Sequence, residues 1–254
     1  MAAASAIDVV NLEKVYARRR CDPVRAVDGL SFSVATGSIF GLLGPNGAGK
    51  STTLRILTTL LRPTSGTARV AGYDVVREAL QVRRNIAVVI QENAAELFLN
   101  VRENLLTFAR FHGLRGSEMQ RRADRVLAQF GLEREAARKA MDLSGGYRRR
   151  VQVAKMFMVD TPVLFLDEFS TGMDPILRRA VMALLREAAG QGRTIVLTTH
   201  ILHEAEELCD DILIVDRGRQ VARGDVSSLK AQSGGGTLED IFIRLTADEP
   251  TEDA

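Results

Sequence analysis

The segment GLLGPNGAGKSTT carries glycines, a lysine and hydroxyl residues at spacings that suit phosphate binding. Gly44 is followed, after four residues, by Gly49, Lys50 and Ser51, which is the spacing of a P-loop. Glycines let successive backbone amides turn towards phosphate oxygens, and the N-terminus of the following helix adds about half a positive charge. Lys50 is predicted to reach the β- and γ-phosphates, and the Ser51 hydroxyl to bind Mg²⁺. The predicted loop comprises Gly44, Pro45, Asn46, Gly47, Ala48, Gly49, Lys50, Ser51 and Thr52.

Two motifs that are missing from the sequence narrow the choice of nucleotide. A guanine-binding site of the small-GTPase type needs Asn/Thr-Lys-x-Asp, and none of the five lysines is followed by Asp two residues later. No Gly-x-Gly-x-x-Gly follows the strand before the P-loop, which excludes a dinucleotide fold. The sequence therefore favours ATP.

A pair of acidic residues follows the short apolar run VLFL. Ligands of open α/β sheets lie at the carboxyl ends of the strands, so Asp167 is predicted to hold Mg²⁺. Glu168 is predicted to polarise a water in line with the γ-phosphate, as a catalytic base. Adjacent carboxylates on a surface turn are commonly solvated charge, but here they follow a predicted buried strand in a P-loop protein.

Two further side chains come at strand ends. His200 ends TIVLTTH, where an imidazole could contact the γ-phosphate and respond to its loss. Gln91 follows IAVVI, where a neutral amide would suit a place beside Mg²⁺ and the attacking water. A structural role is the alternative for each, since a histidine or glutamine after a strand commonly has no catalytic task.

The segment MDLSGGYRRRVQ, residues 141–152, predicts a second anion site. Ser144 is typical of a helix N-cap, and Gly145 and Gly146 leave the first helical amides uncovered. The alternative is a capped surface helix with a basic face, which accounts for the arginines at 148–150 but not for the remaining motifs.

These motifs must be positioned by alternating strands and helices, which indicate an α/β fold with a largely parallel sheet. The first stretch, IDVVNLEKVY to LSFSVATG, alternates apolar and polar residues and predicts an antiparallel β layer. Residues 99–140 predict a separate helical lobe, KSTTLRILTTLL a helix after the P-loop, and residues 237–246 an amphipathic helix after a flexible link at 233–236. The predicted core strands are 38–43, 86–90, 163–166, 194–198 and 211–215.

Composition sets limits on the class of protein. The chain has 254 residues, 46% of them hydrophobic, which suits one large domain or two small ones. Its net charge of +2 does not indicate a nucleic-acid-binding surface. Cys21 and Cys209 form no CxxC pattern, which fits a reducing cytosol, and the apolar runs are strand-sized. The chain is therefore expected to be soluble by itself, and any membrane role to come through a partner.

The order and spacing of these motifs resemble those of the nucleotide-binding subunit of ATP-binding cassette (ABC) transporters. The motifs that carry the resemblance are the P-loop, Gln91, LSGGY, VLFLDE and His200. The resemblance covers residues 8–246, with a helical subdomain at about 92–158 inserted in a P-loop NTPase fold, and leaves 247–254 as a flexible acidic tail. It implies that two such subunits pack head to tail as a dimer, expected to be a homodimer. ATP is then held between one P-loop and the partner's Ser144, Gly145 and Gly146, so the second anion site holds the other subunit's nucleotide.

The resemblance also implies less direct roles. Tyr16 would stack on adenine, with a core tyrosine of the β layer as the alternative. The TGMD loop at 171–174 would follow the acid pair, and Gln91 with the helical lobe would contact the membrane subunit. Three departures from the family pattern bear on hydrolysis rate and dimer closure: Tyr147 replaces glutamine, Phe169 stands where proline is usual, and TGMD replaces SALD.

The layout around GYDV, ELCDDILIVDRGR and TLEDIFIRLT resembles the ATPase subunits of ABC-2-type exporters, including drug-resistance and polysaccharide or lipid exporters. It implies a peripheral protein at the cytoplasmic face of the cell membrane, working with an integral membrane permease and without nucleic acid. The long C-terminal regulatory domain of many sugar importers is not expected. The alternative is a non-transport ABC ATPase acting on nucleic acid or the ribosome. Members of that kind carry zinc-type CxxC pairs, long coiled coils or a second cassette, and this sequence has none of these. A P-loop kinase is a third possibility, but it would need a pocket for the phosphate acceptor and a lid.

Overall fold

The computed structural model of the chain describes residues 5–18, 21–89, 95–232 and 236–246. Its strands are β1 Ser5–Arg18, β2 Cys21–Ala35, β3 Ile39–Leu43, β4 Ser65–Val70, β5 Tyr73–Asp74, β6 Ile86–Val89, β7 Val163–Asp167, β8 Thr194–Thr199, β9 Asp211–Asp216 and β10 Arg219–Gly224. Its α-helices are α1 Lys50–Leu57, α2 Ala79–Arg84, α3 Val101–Phe111, α4 Gly116–Gln129, α5 Gly145–Met156, α6 Pro175–Gly190, α7 Leu202–Leu208, α8 Val226–Gln232 and α9 Leu238–Thr246. The α/β fold class is confirmed.

The predicted antiparallel layer is a four-stranded sheet with the order β2-β1-β4-β5. Alternation along β1 explains its position: Ile7 and Val9 are buried, whereas Asp8 and Val10 face outwards. The layer covers one face of the core sheet, because its apolar side chains share a hydrophobic cluster with Phe40 and Phe165.

The core sheet has six strands in the order β10-β9-β3-β8-β7-β6. All neighbours from β9 to β6 run parallel, and β10 pairs antiparallel with β9. Every residue of β3, β7 and β8 is buried, which is why these strands have uninterrupted apolar runs in the sequence. All five predicted core strands are present, and the carboxyl ends of β3, β8 and β7 lie side by side.

Helices α3, α4 and α5 lie in the chain between β6 and β7, in the region predicted to be helical. The cap of α3 is a capping box, in which Asn100 and Glu103 bond each other's backbone amides. Leu105, Val126 and Val151 from the three helices join the cluster that also contains Leu164 of β7. The helical region is therefore packed against the face of the core sheet opposite the β layer.

The helix after the P-loop is shorter than predicted. Leu54 and Leu57 are buried as expected, but α1 ends at Leu57 and does not reach Leu61. The amides of Leu60 and Leu61 both bond the carbonyl of Arg55, and Thr59 takes a positive φ of 65°. The left-handed residue stops the helix, which the helical spacing of the leucines did not reveal.

The end of the chain follows the prediction in part. The predicted amphipathic helix at 237–246 is α9, with Leu238 and Ile241 buried and Ile243 exposed. Residues 233–235 of the predicted link at 233–236 lie outside the described residues, as does the predicted tail at 247–254. In the portion of the chain that the structure covers, none of the helices has both the length and the apolar character that crossing a bilayer requires.

Candidate functional site

The P-loop connects the end of β3 to the start of α1, and two other strands pack closely against its backbone. Gly47 and Gly49 have positive φ values of 84° and 102°. A Cβ at Gly44 would lie 2.2 Å from the carbonyl oxygen of Val215, and one at Gly49 would lie 2.1 Å from that of Ala26. Glycine is therefore required at both ends of the loop because strands β9 and β2 approach its backbone closely.

Lys50 is the first residue of α1, and its ammonium lies inside the loop. Nζ donates to the carbonyl oxygens of Gly44 at 2.7 Å and Pro45 at 3.0 Å, and the side chain is buried. Burial lowers the pKa of Lys50, while the nearby carboxylates of Glu168 and Asp167 act in the opposite direction. The ammonium thus lies between the P-loop and the acid pair.

An open depression lies over the N-terminus of α1. It brings the P-loop and Glu168 together, although they are over a hundred positions apart in the sequence. The amides and hydroxyls of its wall, the helix N-terminus and Lys50 suit a polyphosphate. The residues lining it are Ala26, Asn46, Gly47, Gly49, Lys50, Ser51, Thr52 and Glu168.

Asp167 and Glu168 are held at the end of β7 by the neighbouring strand β8. Asp167 pairs in register with Thr198, whose hydroxyl donates to the Asp167 carboxylate. The amide of Glu168 donates to the carbonyl of Thr198 at 3.0 Å. Glu168 has a φ of 50°, a left-handed conformation that few residues other than glycine adopt. The backbone therefore turns sharply at Glu168 and directs its side chain away from the path of the strand.

His200 directly follows β8 and lies beside Glu168. Its Nδ1 is 3.2 Å from Glu168 Oε1, and its side chain is half exposed. The parallel pairing of β7 and β8 therefore brings these two predicted residues together. Gln91, predicted to complete this edge, lies outside the described residues.

The donors at this edge fit Mg²⁺ bound together with a polyphosphate. Ser51 offers a hydroxyl and Asp167 a carboxylate, and Mg²⁺ prefers oxygen ligands, usually one or two carboxylates with phosphates and waters. Among the residues that the structure describes, no three His, Cys, Asp or Glu side chains form a cluster that could hold a metal ion. The oxygen donors present suit a cation that arrives with the nucleotide.

The second predicted anion site is exposed and separate from the chain's own P-loop. Ser144 is the N-cap of α5, and its Oγ accepts from the amide of Tyr147 at 3.4 Å. Ser144 and Gly145 are exposed, whereas a Cβ at Gly146 would lie 2.6 Å from the carbonyl of Gly172. The N-terminus of α5 is thus packed against the TGMD loop, and none of the residues lining the P-loop depression comes from α5.

The residues that depart from the family pattern have clear structural positions. Phe169 is fully buried in the cluster that contains Leu164. The ring of Tyr147 lies 4.7 Å from the guanidinium of Arg150. Asp174 of the TGMD loop is the N-cap of α6 and accepts from the amide of Leu177 at 2.9 Å.

Tyr16 is not a core residue of the β layer. It pairs with Val24 on β2, two residues before Ala26, and is 37% exposed. The ammonium of Lys14 lies 5.3 Å from its ring centre. The ring of Tyr16 is accessible at this point of the sheet, but Tyr16 does not itself line the depression, and its stacking on adenine stays a prediction.

Sequence reasoning missed two residues of the site, Thr198 and Arg149. The run at 148–150 suggested a basic surface, but Arg149 is buried and its guanidinium donates to the carbonyl of Glu168 at 2.7 Å. Helical spacing could have identified it, because Arg149 shares the buried face of α5 with Val153 and Met156. Thr198 is a polar residue within an apolar strand, where a buried partner is expected.

Comparison with known proteins shows what the chain is similar to. The family model described as ABC transporter matches residues 27–171, and one described as AAA domain, putative AbiEii toxin, matches 140–205. Daunorubicin resistance ATP-binding protein DrrA3 of Streptomyces coeruleorubidus is 43% identical over 94% of this chain and 74% of the relative. Nod factor export ATP-binding protein I of Paraburkholderia xenovorans is 40% identical over 94% of this chain and 77% of the relative.

Solved structures agree with this similarity. The structure of an ATP-binding subunit of an ABC transporter has a TM-score of 0.86 and 29% identity, covering 95% of this chain and 99% of that one. The MJ0796 cassette, a dimer in a post-hydrolysis state bound to ADP and Pi, has a TM-score of 0.80 and 26% identity, covering 86% of this chain and 98% of that one.

The hydroxyl of Thr198 provides a test of how the acid pair is held. Thr198→Val keeps the shape of the side chain but leaves the buried carboxylate of Asp167 without this donor. We expect the free energy of unfolding to fall by about 1–3 kcal/mol, measured by urea denaturation. Thr198→Ser, the matched control, keeps the hydroxyl. A loss of stability in Thr198→Ser with none in Thr198→Val would contradict the role of the hydrogen bond and indicate methyl packing instead.

Proposed function

Because this chain belongs to the ABC transporter family, whose ATP-binding cassettes hydrolyse ATP, we propose that it is the ATPase subunit of an exporter. Support for export comes from relatives named for daunorubicin resistance and Nod factor export, each at least 40% identical over nine-tenths of this chain. These names favour transport over a role on nucleic acid or the ribosome. The exported molecule is a property of the membrane subunit and is not part of the proposal.

ATP is proposed to bind in the depression over α1. The amides of the P-loop and the helix N-terminus receive the phosphates, and Lys50 contributes its charge at the β- and γ-phosphates. Tyr16, exposed on β1 near Ala26, is proposed to stack on adenine. Support for this placement is the joint lining of the depression by six P-loop and α1 residues, Ala26 and Glu168.

Glu168 is proposed to act as the base for hydrolysis. Glu168 lines the depression, and its carboxylate accepts a hydrogen bond from His200 Nδ1, 3.2 Å away. In this position it can orient a water towards the γ-phosphate and take its proton, while His200 contacts the γ-phosphate. When bound, Mg²⁺ neutralises charge on the phosphates, and Ser51 and Asp167 are the residues proposed to hold it. Gln91 is proposed to join them, although it lies outside the described residues.

A second copy of the chain is proposed to complete the site. The observation that supports this is the exposed N-terminus of α5, which is built to hold an anion and yet lies apart from the chain's own P-loop depression. Head-to-tail packing would place Ser144, Gly145 and Gly146 of one copy over the ATP of the other. Binding of ATP then favours the closed dimer, and loss of the γ-phosphate reopens it. The dimeric cassette found among the structural neighbours supports this assembly.

An apolar groove between α2, β6 and α3 is proposed to bind the permease. Leu60 and Leu80 line one side of it, and Phe108 and Phe111 line the other. Leu60 is 63% exposed and Phe111 is 86% exposed, values that are high for large apolar side chains. A groove of this kind suits an amphipathic helical segment of a partner. With such a partner the chain would lie at the cytoplasmic face of the membrane.

Replacement of the proposed base tests the mechanism. In Glu168→Gln, ATP binding should be retained while phosphate release falls by about 100-fold or more, because the amide cannot accept the proton of water. Light scattering should then detect a dimer trapped with ATP. Glu118→Gln, an exposed carboxylate on α4, is the control. Near-normal turnover in Glu168→Gln would show that another group is the base.

Blocking the cap of α5 tests the composite site. Ser144→Arg should prevent ATP-dependent dimerisation, because a long side chain at the N-cap fills the space that the partner's phosphates need. Binding of ATP to the monomer should be unchanged, and the two effects separate in gel filtration and in fluorescence titration with an ATP analogue. Ser117→Arg, on the exposed start of α4, is the matched control. Full hydrolysis by a monomer insensitive to Ser144→Arg would overturn the two-copy model.

The groove is tested by recovery of the partner from membranes. A tagged chain should copurify, from detergent extracts, with an integral membrane protein in constant proportion. Leu60→Asp combined with Phe111→Asp should abolish this recovery, because two charges cannot be buried against an apolar surface. Ile243→Asp replaces an exposed apolar residue on α9 and serves as the control. Undiminished recovery with the groove variant would place the permease contact elsewhere.

A further inference from the structure

One buried arginine joins the helix of the second anion site to the acid pair. Arg149 lies in α5, five residues after Ser144, and is 7% exposed. Its guanidinium donates to the carbonyl oxygens of three successive residues: Asp167, Glu168 at 2.7 Å and Phe169 at 3.2 Å. Its Nη1 also donates to Oε1 of Gln152 at 2.6 Å, one turn further along the same helix. The guanidinium is therefore held on one side by α5 and bonds the chain where it leaves β7 on the other.

The three carbonyls fix the path of the backbone at Glu168. A guanidinium is planar and presents its donors in a rigid fork, so carbonyls bonded to it are fixed in direction as well as in distance. Glu168 has a φ of 50° and is not glycine, so surrounding contacts must keep it in this conformation. The amide of Glu168 bonds Thr198 on one side, and its carbonyl bonds Arg149 on the other.

Charge also connects Arg149 to the acid pair. Burial lowers the pKa of the Arg149 guanidinium, whereas the carboxylates of Asp167 and Glu168 favour its charged form. Lys50 is influenced by the same two carboxylates. The acid pair therefore lies between two buried cations, one from the P-loop helix and one from α5.

We propose that Arg149 is a positioning residue for hydrolysis, which holds the backbone of Glu168 in its left-handed conformation and fixes it to α5. The inference rests on the proposed role of Glu168 as the base. Arg149 acts through Glu168 and contacts the backbone of the acid pair. Its loss should therefore affect the chemical step and spare the binding of ATP.

The first test is Arg149→Lys, which keeps the charge but lacks the planar fork. We expect kcat to fall by about 100-fold, because small displacements of a catalytic group have effects of that order. KM for ATP and the affinity of the monomer for an ATP analogue should stay within about twofold of the values for the unchanged protein. The variant is expected to leave the binding of ATP in the ground state unaffected. Arg150→Lys is the matched control, because that guanidinium donates to the carbonyls of Phe130 and Gly131, away from the acid pair.

The second test is a double-mutant cycle measured by single-turnover phosphate release. In a Glu168→Gln background, Arg149→Lys should reduce the residual rate by less than about twofold. The reason is that the effects of two substitutions are not additive when both residues act through the same catalytic group. An equal loss in both backgrounds, or native turnover in Arg149→Lys, would overturn the positioning role. Native turnover in Glu168→Gln would instead remove the proposed function, so the two failures are distinguishable.

A milder variant covers the case in which Arg149→Lys does not fold. Gln152→Leu leaves Arg149 in place but removes the acceptor that orients its Nη1. It should lower kcat by about tenfold with KM unchanged, and this loss should also disappear in the Glu168→Gln background. A stable Gln152→Leu protein with native kcat would overturn the inference.

Discussion

The parallel pairing of β3, β8 and β7 is the constraint on which the site depends. It places the carboxyl ends of three strands at one edge, so the P-loop, the acid pair and His200 come together from distant parts of the chain. Register then decides the contacts, since Asp167 lies opposite Thr198 and receives its hydroxyl hydrogen bond. A shift of one residue would turn Asp167 to the other face of the sheet. The apolar packing on both faces, which resists that shift, thus also maintains the geometry of the proposed site.

Electrostatics explains why this edge contains buried charges at all. A single buried charge is costly, but the carboxylates of Asp167 and Glu168 lie close enough to Lys50 and Arg149 to favour the charged forms of these two cations. Lys50 and Arg149 are further supported by backbone carbonyls, which accept from their donors. The arrangement keeps cationic groups near the proposed phosphate position and a carboxylate beside it, which hydrolysis of a polyanion requires.

The fold and much of the site follow from local sequence patterns. Buried parallel strands are recognisable as apolar runs, and the P-loop and acid pair are recognisable because their residue types are fixed by chemistry. The end of α1 at Leu57 was missed, because it depends on a left-handed Thr59 and on bonds to the carbonyl of Arg55. Arg149 was taken for a surface charge, because its partners lie about twenty residues away and become neighbours only in the folded chain. Local patterns indicate elements, whereas contacts between elements depend on the whole fold.

The position of β3 in the core sheet also bears on how the protein is made. Its two neighbours, β8 and β9, begin at Thr194 and Asp211, far beyond the start of β3 at Ile39, and the carbonyl oxygen that approaches Gly44 belongs to Val215 of β9. Because the chain is synthesised from its N-terminus, the P-loop and the strands that support it cannot assemble until most of the chain has left the ribosome. A fragment that stops before β8 has the complete P-loop sequence but lacks both partners of the strand that supports it. ATP is therefore expected to stabilise only chains long enough to contain β8 and β9, because a ligand stabilises only the folded form that binds it.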